Sequence, residues 1–218
     1  MRKSFLSVPE SNTIVDSPSR NIPRVFIITG APCTGKTTIA RRLAKRFQLA
    51  LFTKDDIKTR LFDVLGWSDR EWSSRLSRAT SELLFYLLEE NLLAGTAMAV
   101  ESNFKPERHN SRFAELGQKY RFLPVQIFLT ANPNVIEERF RRRARDGERH
   151  PGHRDDLLLD EIGASLRNGT YAPLDVDGPL ISLDTTSRSA EDAVSFLLPR
   201  LASHLCDRAR ARRENPRD

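Results

Sequence analysis

The stretch Gly30-Ala31-Pro32-Cys33-Thr34-Gly35-Lys36-Thr37 constrains this chain more than any other, because it fits G-x-x-x-x-G-K-[ST] without departure. Its surroundings matter as much as its spelling. Val25-Phe26-Ile27-Ile28-Thr29 is a continuous run of β-formers with no polar alternation, the pattern of a strand buried on both faces. After the loop, Ile39, Leu43 and Phe47 recur at helical spacing. Strand, glycine-rich turn and helix thus come in the order that makes an anion cradle. The glycines let the backbone curl so that successive N–H groups face one side, and the helix N-terminus adds its positive dipole there. Gly30 to Thr38 is therefore expected to hold the phosphates of ATP, with Lys36 reaching the β- and γ-oxygens and the Thr37 hydroxyl on Mg2+. Cys33 occupies a variable position of the loop and reads as filler, not as a nucleophile.

Alternation continues along the chain. Leu51-Phe52-Thr53, Ala97 to Glu101, Val125 to Thr130 and Leu180 to Leu183 read as strands. Between them lie an acidic helix start at Asp55-Asp56 and a long helix that Ser68 and Glu71 would open as a capping box and that ends near Gly95. Further helices run from Pro106 to Lys119, from Pro133 into an arginine cluster, and from Glu191 to Leu205. This is an α/β chain: a three-layer α/β/α P-loop NTPase fold with a mainly parallel five-stranded sheet and a short arginine-rich lid. Residues 1–22, rich in Ser, Pro and Asn, read as a flexible extension; 23–206 as the domain, with its lid at about 139–170; and 207–218 as a basic, frayed tail.

Composition excludes several classes. Hydrophobic residues at 39% and charged residues at 29% argue against global disorder. No apolar run approaches the about 20 residues that cross a bilayer. Two cysteines, Cys33 and Cys206, are too few for a disulfide framework, and a cytoplasmic location is expected. A net charge of +6 favours polyanionic ligands, of which ATP is one and nucleic acid the less favoured.

A loop that holds ATP does not define a reaction. Phosphoryl transfer needs a carboxylate to orient an acceptor hydroxyl and cations to cover charge on the γ-phosphate. Asp55 and Asp56 follow the second strand, where an open α/β sheet places its ligands, although acids also simply stabilise helix N-termini. Asp55 is nearer the strand and is the candidate base. Arg139 and Arg143, at i and i+4, share a helix face and would grip one phosphate group, while most neighbouring arginines read as a solvated face balanced by Glu137, Glu138, Asp146 and Glu148. Gly147 and His150-Pro151-Gly152-His153 break that helix, as a mobile lid requires; the two histidines lack a third metal ligand nearby. Glu101 ends the third strand, where it would hold Mg2+ through a water, orient the acceptor or merely terminate the strand. The acceptor pocket is expected from Leu61 to Trp72 and from residues after Asn103, with Trp67, Trp72 and Phe104 as candidate lining.

These four stretches (Gly30 to Thr38, Lys54 to Lys58, Glu101 to Glu107 and Arg139 to Arg154) resemble small P-loop kinases related to the 5'-hydroxyl polynucleotide kinases, chloramphenicol phosphotransferase and the zeta toxins, a group often labelled AAA-type ATP-binding proteins. In the polynucleotide kinases the first aspartate of a similar pair is the general base, which implies Asp55; their Asn-x-x-Pro-Glu-Arg run is matched by Asn103 to Arg108, and their lid arginines by Arg139 and Arg143. Lys58 stands where those kinases have arginine, Glu101 where they have aspartate, and no phosphatase module follows. The resemblance implies a kinase acting with ATP and Mg2+ on a small hydroxyl-bearing acceptor, as monomer or dimer, with no membrane partner. A polynucleotide 5'-hydroxyl kinase and a non-catalytic ATP sensor or slow ATPase are the alternatives. The AAA label also implies ring-forming machinery, for which the chain shows neither a separate helical lid domain nor a second arginine-finger region.

Overall fold

The seven residues of β1 (Arg24–Gly30) are all buried, because this strand has neighbours on both edges and helices on both faces. In a computed structural model describing residues 22–147 and 149–205, β1 is flanked by β3 (Met98–Glu101) and β4 (Leu123–Thr130). Outside these lie β2 (Ala50–Thr53) and β5 (Leu180–Asp184), giving the order β2-β3-β1-β4-β5 with every pairing parallel. The predicted extension and basic tail, with Cys206 and Glu148, lie outside the described residues.

Successive β1 side chains serve opposite faces, as the strand period demands. Phe26 and Ile28 pack with Ile39 and Leu43 of α1 (Lys36–Phe47) and with Leu197 and Leu201 of α7 (Ala190–Leu205). Val25 and Ile27 pack with Leu84 and Leu88 of α3 (Arg70–Leu93) and with Phe113 and Leu116 of α4 (Pro106–Lys119). Two separate cores result, one per layer. Gln126, buried in β4, is satisfied on both sides of its amide by Leu174, donating from Nε2 to the carbonyl (3.1 Å) and accepting at Oε1 from the N–H (2.6 Å).

At the carboxyl rim of the sheet sit α2 (Lys54–Leu65), α5 (Pro133–Asp146) and α6 (Leu159–Arg167). A third, smaller core of Ala31, Ile136, Phe140 and Ile162 lies beneath them, tying the glycine-rich loop to the arginine-bearing helix. One expectation is corrected here. The cap of α3 is Asp69, whose Oδ1 accepts from the Trp72 N–H at 2.8 Å, and not Ser68; the helix begins one residue later than a Ser68–Glu71 box requires. Among the described residues no helix is long and apolar enough to cross a membrane.

Candidate active site

The glycine-rich loop is shaped by three backbone conformations that side chains disfavour. Gly30 has φ 133°, and a Cβ there would lie 2.0 Å from the Leu129 carbonyl oxygen, so only glycine lets β1 turn away beside β4. Cys33 and Gly35 follow at φ 59° and 83°. The loop carbonyls are taken up from outside: Ala31 O accepts from Thr34 Oγ1 (2.9 Å) and Lys36 Nζ (2.7 Å), Thr34 O from Thr185 Oγ1 (3.0 Å), and Cys33 O from Arg139 (3.3 Å). With carbonyls so occupied and no side-chain cap on α1, the amides of the helix start are what remains to meet an anion. Burial pushes the Lys36 ammonium below its ordinary range, against the opposing pull of Glu101 and Asp55.

Sheet register brings the carboxylates to the same rim. Glu101 is the register partner of Ile28 in β1 and of Thr53 in β2, so β3 ends between the loop and the start of α2. Its Oε2 accepts from Thr37 Oγ1 at 2.9 Å, and burial raises its pKa despite nearby Lys36. Thr53 caps α2, accepting from the Asp56 N–H at 3.1 Å. The two aspartates then part company. Asp56 is exposed and takes Arg41 through both oxygens (2.8 and 2.9 Å), whereas Asp55 turns into the cleft and pairs with Arg149. Burial raises the Asp55 pKa, but Arg149, helped by His153, Lys36 and Lys54, outweighs it and holds the carboxyl below its ordinary 3.8.

The lid arginines have separate partners. Arg139 donates to the carbonyls of Thr185 (2.9 Å) and Thr186 (3.0 Å) as well as to Cys33, bracing the loop from behind. Arg143 Nε donates to Asp155 Oδ2 at 2.9 Å, and Arg149 to Asp155 Oδ1 at 2.7 Å. Although Arg139 and Arg143 share a helix face and both reach the cleft, the arginines that share a partner are Arg143 and Arg149. Arg149 entered the sequence reading only as one cation of the basic run, and Asp155 not at all, because Gly147 and Pro151 end the helical periodicity there and no spacing gives the Asp155–Asp156 pair a role. The histidines are packing groups. His150 stacks on Phe62 (5.1 Å, 10°), and His153 Nε2 lies 3.0 Å from Thr59 Oγ1. Burial, then Arg149, pushes His153 down to about 3, so it is neutral at ordinary pH.

Lys36, Thr37, Asp55, Glu101, Arg139, Arg143 and Arg149 all line one cleft of about 1310 Å3, which continues past Asp55 between α3 and α4. Lys105, Arg108, His109 and Arg112 line it, as expected of residues after Asn103, but the rest of the expected acceptor pocket is corrected. Phe104 is buried in the core among Phe85 and Phe113, Trp72 donates Nε1–H to the Gly66 carbonyl (3.0 Å), and Trp67 packs edge-on against His150. From Leu61 to Trp72 only Arg70 lines the cleft; the aromatic lining is Phe85, Phe140 and Tyr171. Lys58 lies deeper, its Nζ donating to Ser73 Oγ at 2.9 Å, and burial takes it down to about 8.

Comparison with known proteins bears on the family and the fold. A family model described as an AAA domain matches residues 25–167. The solved structure of a candidate kinase from Chloroflexus aurantiacus is 35% identical, with TM-score 0.73 over 82% of this chain and 98% of that one. A gluconokinase from Sinorhizobium meliloti, 14% identical, shares the fold with TM-score 0.52 over 86% and 98% of the two chains. Among curated proteins, adenylate kinase 8 of Rattus norvegicus is 36% identical over 72 residues, 33% of this chain, which spans only 15% of that relative's length.

Proposed function

The chain belongs to the AAA-domain family with a P-loop kinase-like fold, and from that premise we propose that it transfers the γ-phosphate of ATP to a hydroxyl of a small molecule. The observation that carries this reading is the convergence of Lys36, Asp55, Glu101 and the lid arginines on one cleft that has space beyond the nucleotide's phosphates. A nucleotide sensor needs the loop but has no use for a carboxylate beyond the γ-position.

In this mechanism the loop amides from Gly30 to Thr38 and the Lys36 ammonium hold the β- and γ-phosphates. Thr37 and Glu101 offer a hydroxyl and a carboxylate in mutual contact, an all-oxygen donor set that suits Mg2+. Bound there, the metal would neutralise charge on the β- and γ-oxygens. Asp55, ionised at neutral pH, takes the acceptor's proton as the acceptor oxygen bonds to the γ-phosphorus and the bond to the β–γ bridging oxygen breaks, releasing ADP. Arg139 steadies the loop, and Arg143 and Arg149 cover the transferring group once Arg149 has exchanged Asp55 for phosphate. Residues 139–170 act as the lid, and the free thiol of Cys33 suits a cytoplasmic enzyme.

The test is transfer of labelled γ-phosphate to a panel of hydroxyl compounds. Asp55→Asn is expected to keep ATP affinity and lose transfer; transfer near the wild-type rate would remove Asp55 from the mechanism.

A further inference from the structure

We infer that the wall between α3 and α4 is the acceptor's binding site, and that it takes a small hydroxyl compound carrying a carboxylate or phosphate, which Arg78 and Arg108 hold. The inference rests on the kinase reading of the cleft and names what that reading leaves open. Size is the first argument. Single-ligand pockets run to roughly 1,000 Å3, so a cleft of 1310 Å3 has room for a nucleotide and a second, smaller molecule.

Charge is the second. Of the cations on this wall, Arg70 is matched by Glu161 (2.9 Å) and Arg112 by Glu82 (3.0 Å). The Arg78 and Arg108 guanidiniums form no ion pair or hydrogen bond among the described residues, and both line the cleft. Arg108 also adds to a positive field: besides burial, it pushes down the ammonium pKa values of Lys54 and Lys105. Two guanidiniums without an ion-pair partner among the described residues, exposed on the cleft wall beside lysines whose charge Arg108 opposes, are a site that can take an anion.

The third argument is the chemistry between them. Ser74, Ser77 and Ser81, spaced at three and four residues, line the cleft along one face of α3. Ser74 Oγ accepts from Arg70 (2.7 Å) and Ser81 Oγ donates to the Ser77 carbonyl (3.2 Å), which leaves the Ser77 hydroxyl, the Ser74 O–H and the Ser81 lone pairs for a ligand. Such a wall suits the several hydroxyls of a polyol-like compound better than a flat aromatic one. Further along, α3 and α4 are tied together: Phe85 stacks on His109 (6.2 Å, 15°), and Arg112 lies 4.9 Å over the Phe85 ring while bridging to Glu82. These ties bound the recess and favour a small molecule over a polynucleotide strand, which needs an open channel.

The experiment saturates the full chain with Mg2+ and a non-hydrolysable ATP analogue, so that anions cannot compete for the γ-position. Thermal shift is then titrated with matched sets of neutral, carboxylated and phosphorylated polyols. Charged members are expected to bind, with a dissociation constant raised roughly tenfold or more by combined Arg78→Ala and Arg108→Ala and partly restored by lysine at both positions. Whether carboxylates or phosphates respond identifies the anion. Equal response to neutral polyols, no response to any, an unaffected double alanine variant, or response only to a 5'-hydroxyl oligonucleotide would each overturn the site. Anion binding without transfer would leave this site standing and sink the kinase reading; transfer to neutral alcohols at equal rates in wild type and variant would do the reverse.

Discussion

Asp55 sits between opposing influences, and Arg149 decides the balance. Burial alone raises a carboxyl pKa, yet the guanidinium beside it holds Asp55 below 3.8. That depressed pKa makes the pair stabilising above the unfolded value and progressively lost as pH falls through the folded one. Arg149→Ala should therefore release the burial effect: the Asp55 pKa rises, and the acid limb of the transfer-rate profile moves to higher pH. The maximal rate should also fall, by up to about 10³-fold if Arg149 covers the transferring phosphate. A pH–rate profile with an unmoved acid limb would separate Arg149 from the base. This part of the site was legible only in halves. Lys36, Asp55 and Glu101 follow strands whose apolar runs fix where they end, so their common rim could be read in advance. Which of Asp55 and Asp56 faces the cleft depends on Arg41 and Arg149 arriving from α1 and from an aperiodic loop, and no spacing announces that.

At the scale of elements, the loop that ends the expected lid's first helix is attached to α2 at several points: Arg149 pairs with Asp55, His153 Nε2 lies 3.0 Å from Thr59 Oγ1, and Gly152 packs on Phe62. Gly152 lies against Phe62 so tightly that a Cβ would come within 2.8 Å of the ring, and His150 and His153 flank the same ring. Asp55, the proposed base, is on the same helix as Phe62, so the position of this loop and that of Asp55 are mechanically joined. Gly152→Ala should push the lid loop off Phe62, costing about 1–3 kcal/mol of stability as overpacking does. Phe62→Leu, itself destabilising, should recover part of that cost in the double variant. Chemical denaturation of the four proteins checks this, and simple additivity would argue that the loop does not rest on Phe62. All five strands and most helices were readable from apolar runs and periodicity, and the start of Pro106–Lys119 was fixed by its proline, but α6 (Leu159–Arg167) was not anticipated inside the expected lid. The α3 cap slipped by one residue because Ser68 and Asp69 are both good capping residues and only the packed backbone chooses. Likewise Trp67, Trp72 and Phe104 were candidate lining by residue type, but Phe104 is buried between α3 and α4 while Trp67 stays exposed beside His150 and Trp72 bonds to Gly66, choices that composition does not encode.

For the molecule as a whole, the donor half of the cleft should report itself through stability before any acceptor is known. A ligand that binds only the folded chain stabilises it by mass action, about 2.7 kcal/mol at a hundred times its dissociation constant. For a chain of this size that corresponds to a rise in Tm on the order of 5–10 °C. Mg2+ with ATP should produce such a rise in the wild type and in Asp55→Asn, since the proposed mechanism places that side chain beyond the phosphates. Lys36→Ala should lose most of it, because the buried ammonium on the Ala31 carbonyl is the group that must swing to the phosphates. Removing Lys36 also removes a buried charge, so the ligand-free variant need not be less stable than the wild type. The ligand-induced difference is thus the quantity to compare, not the absolute Tm. Omitting Mg2+ should shrink the wild-type shift, since the Thr37–Glu101 pair offers oxygen donors that only a cation can join to the phosphates. A full shift in Lys36→Ala would mean that the nucleotide is held elsewhere, and the loop, the base and the acceptor wall would then lose the common origin from which each is argued.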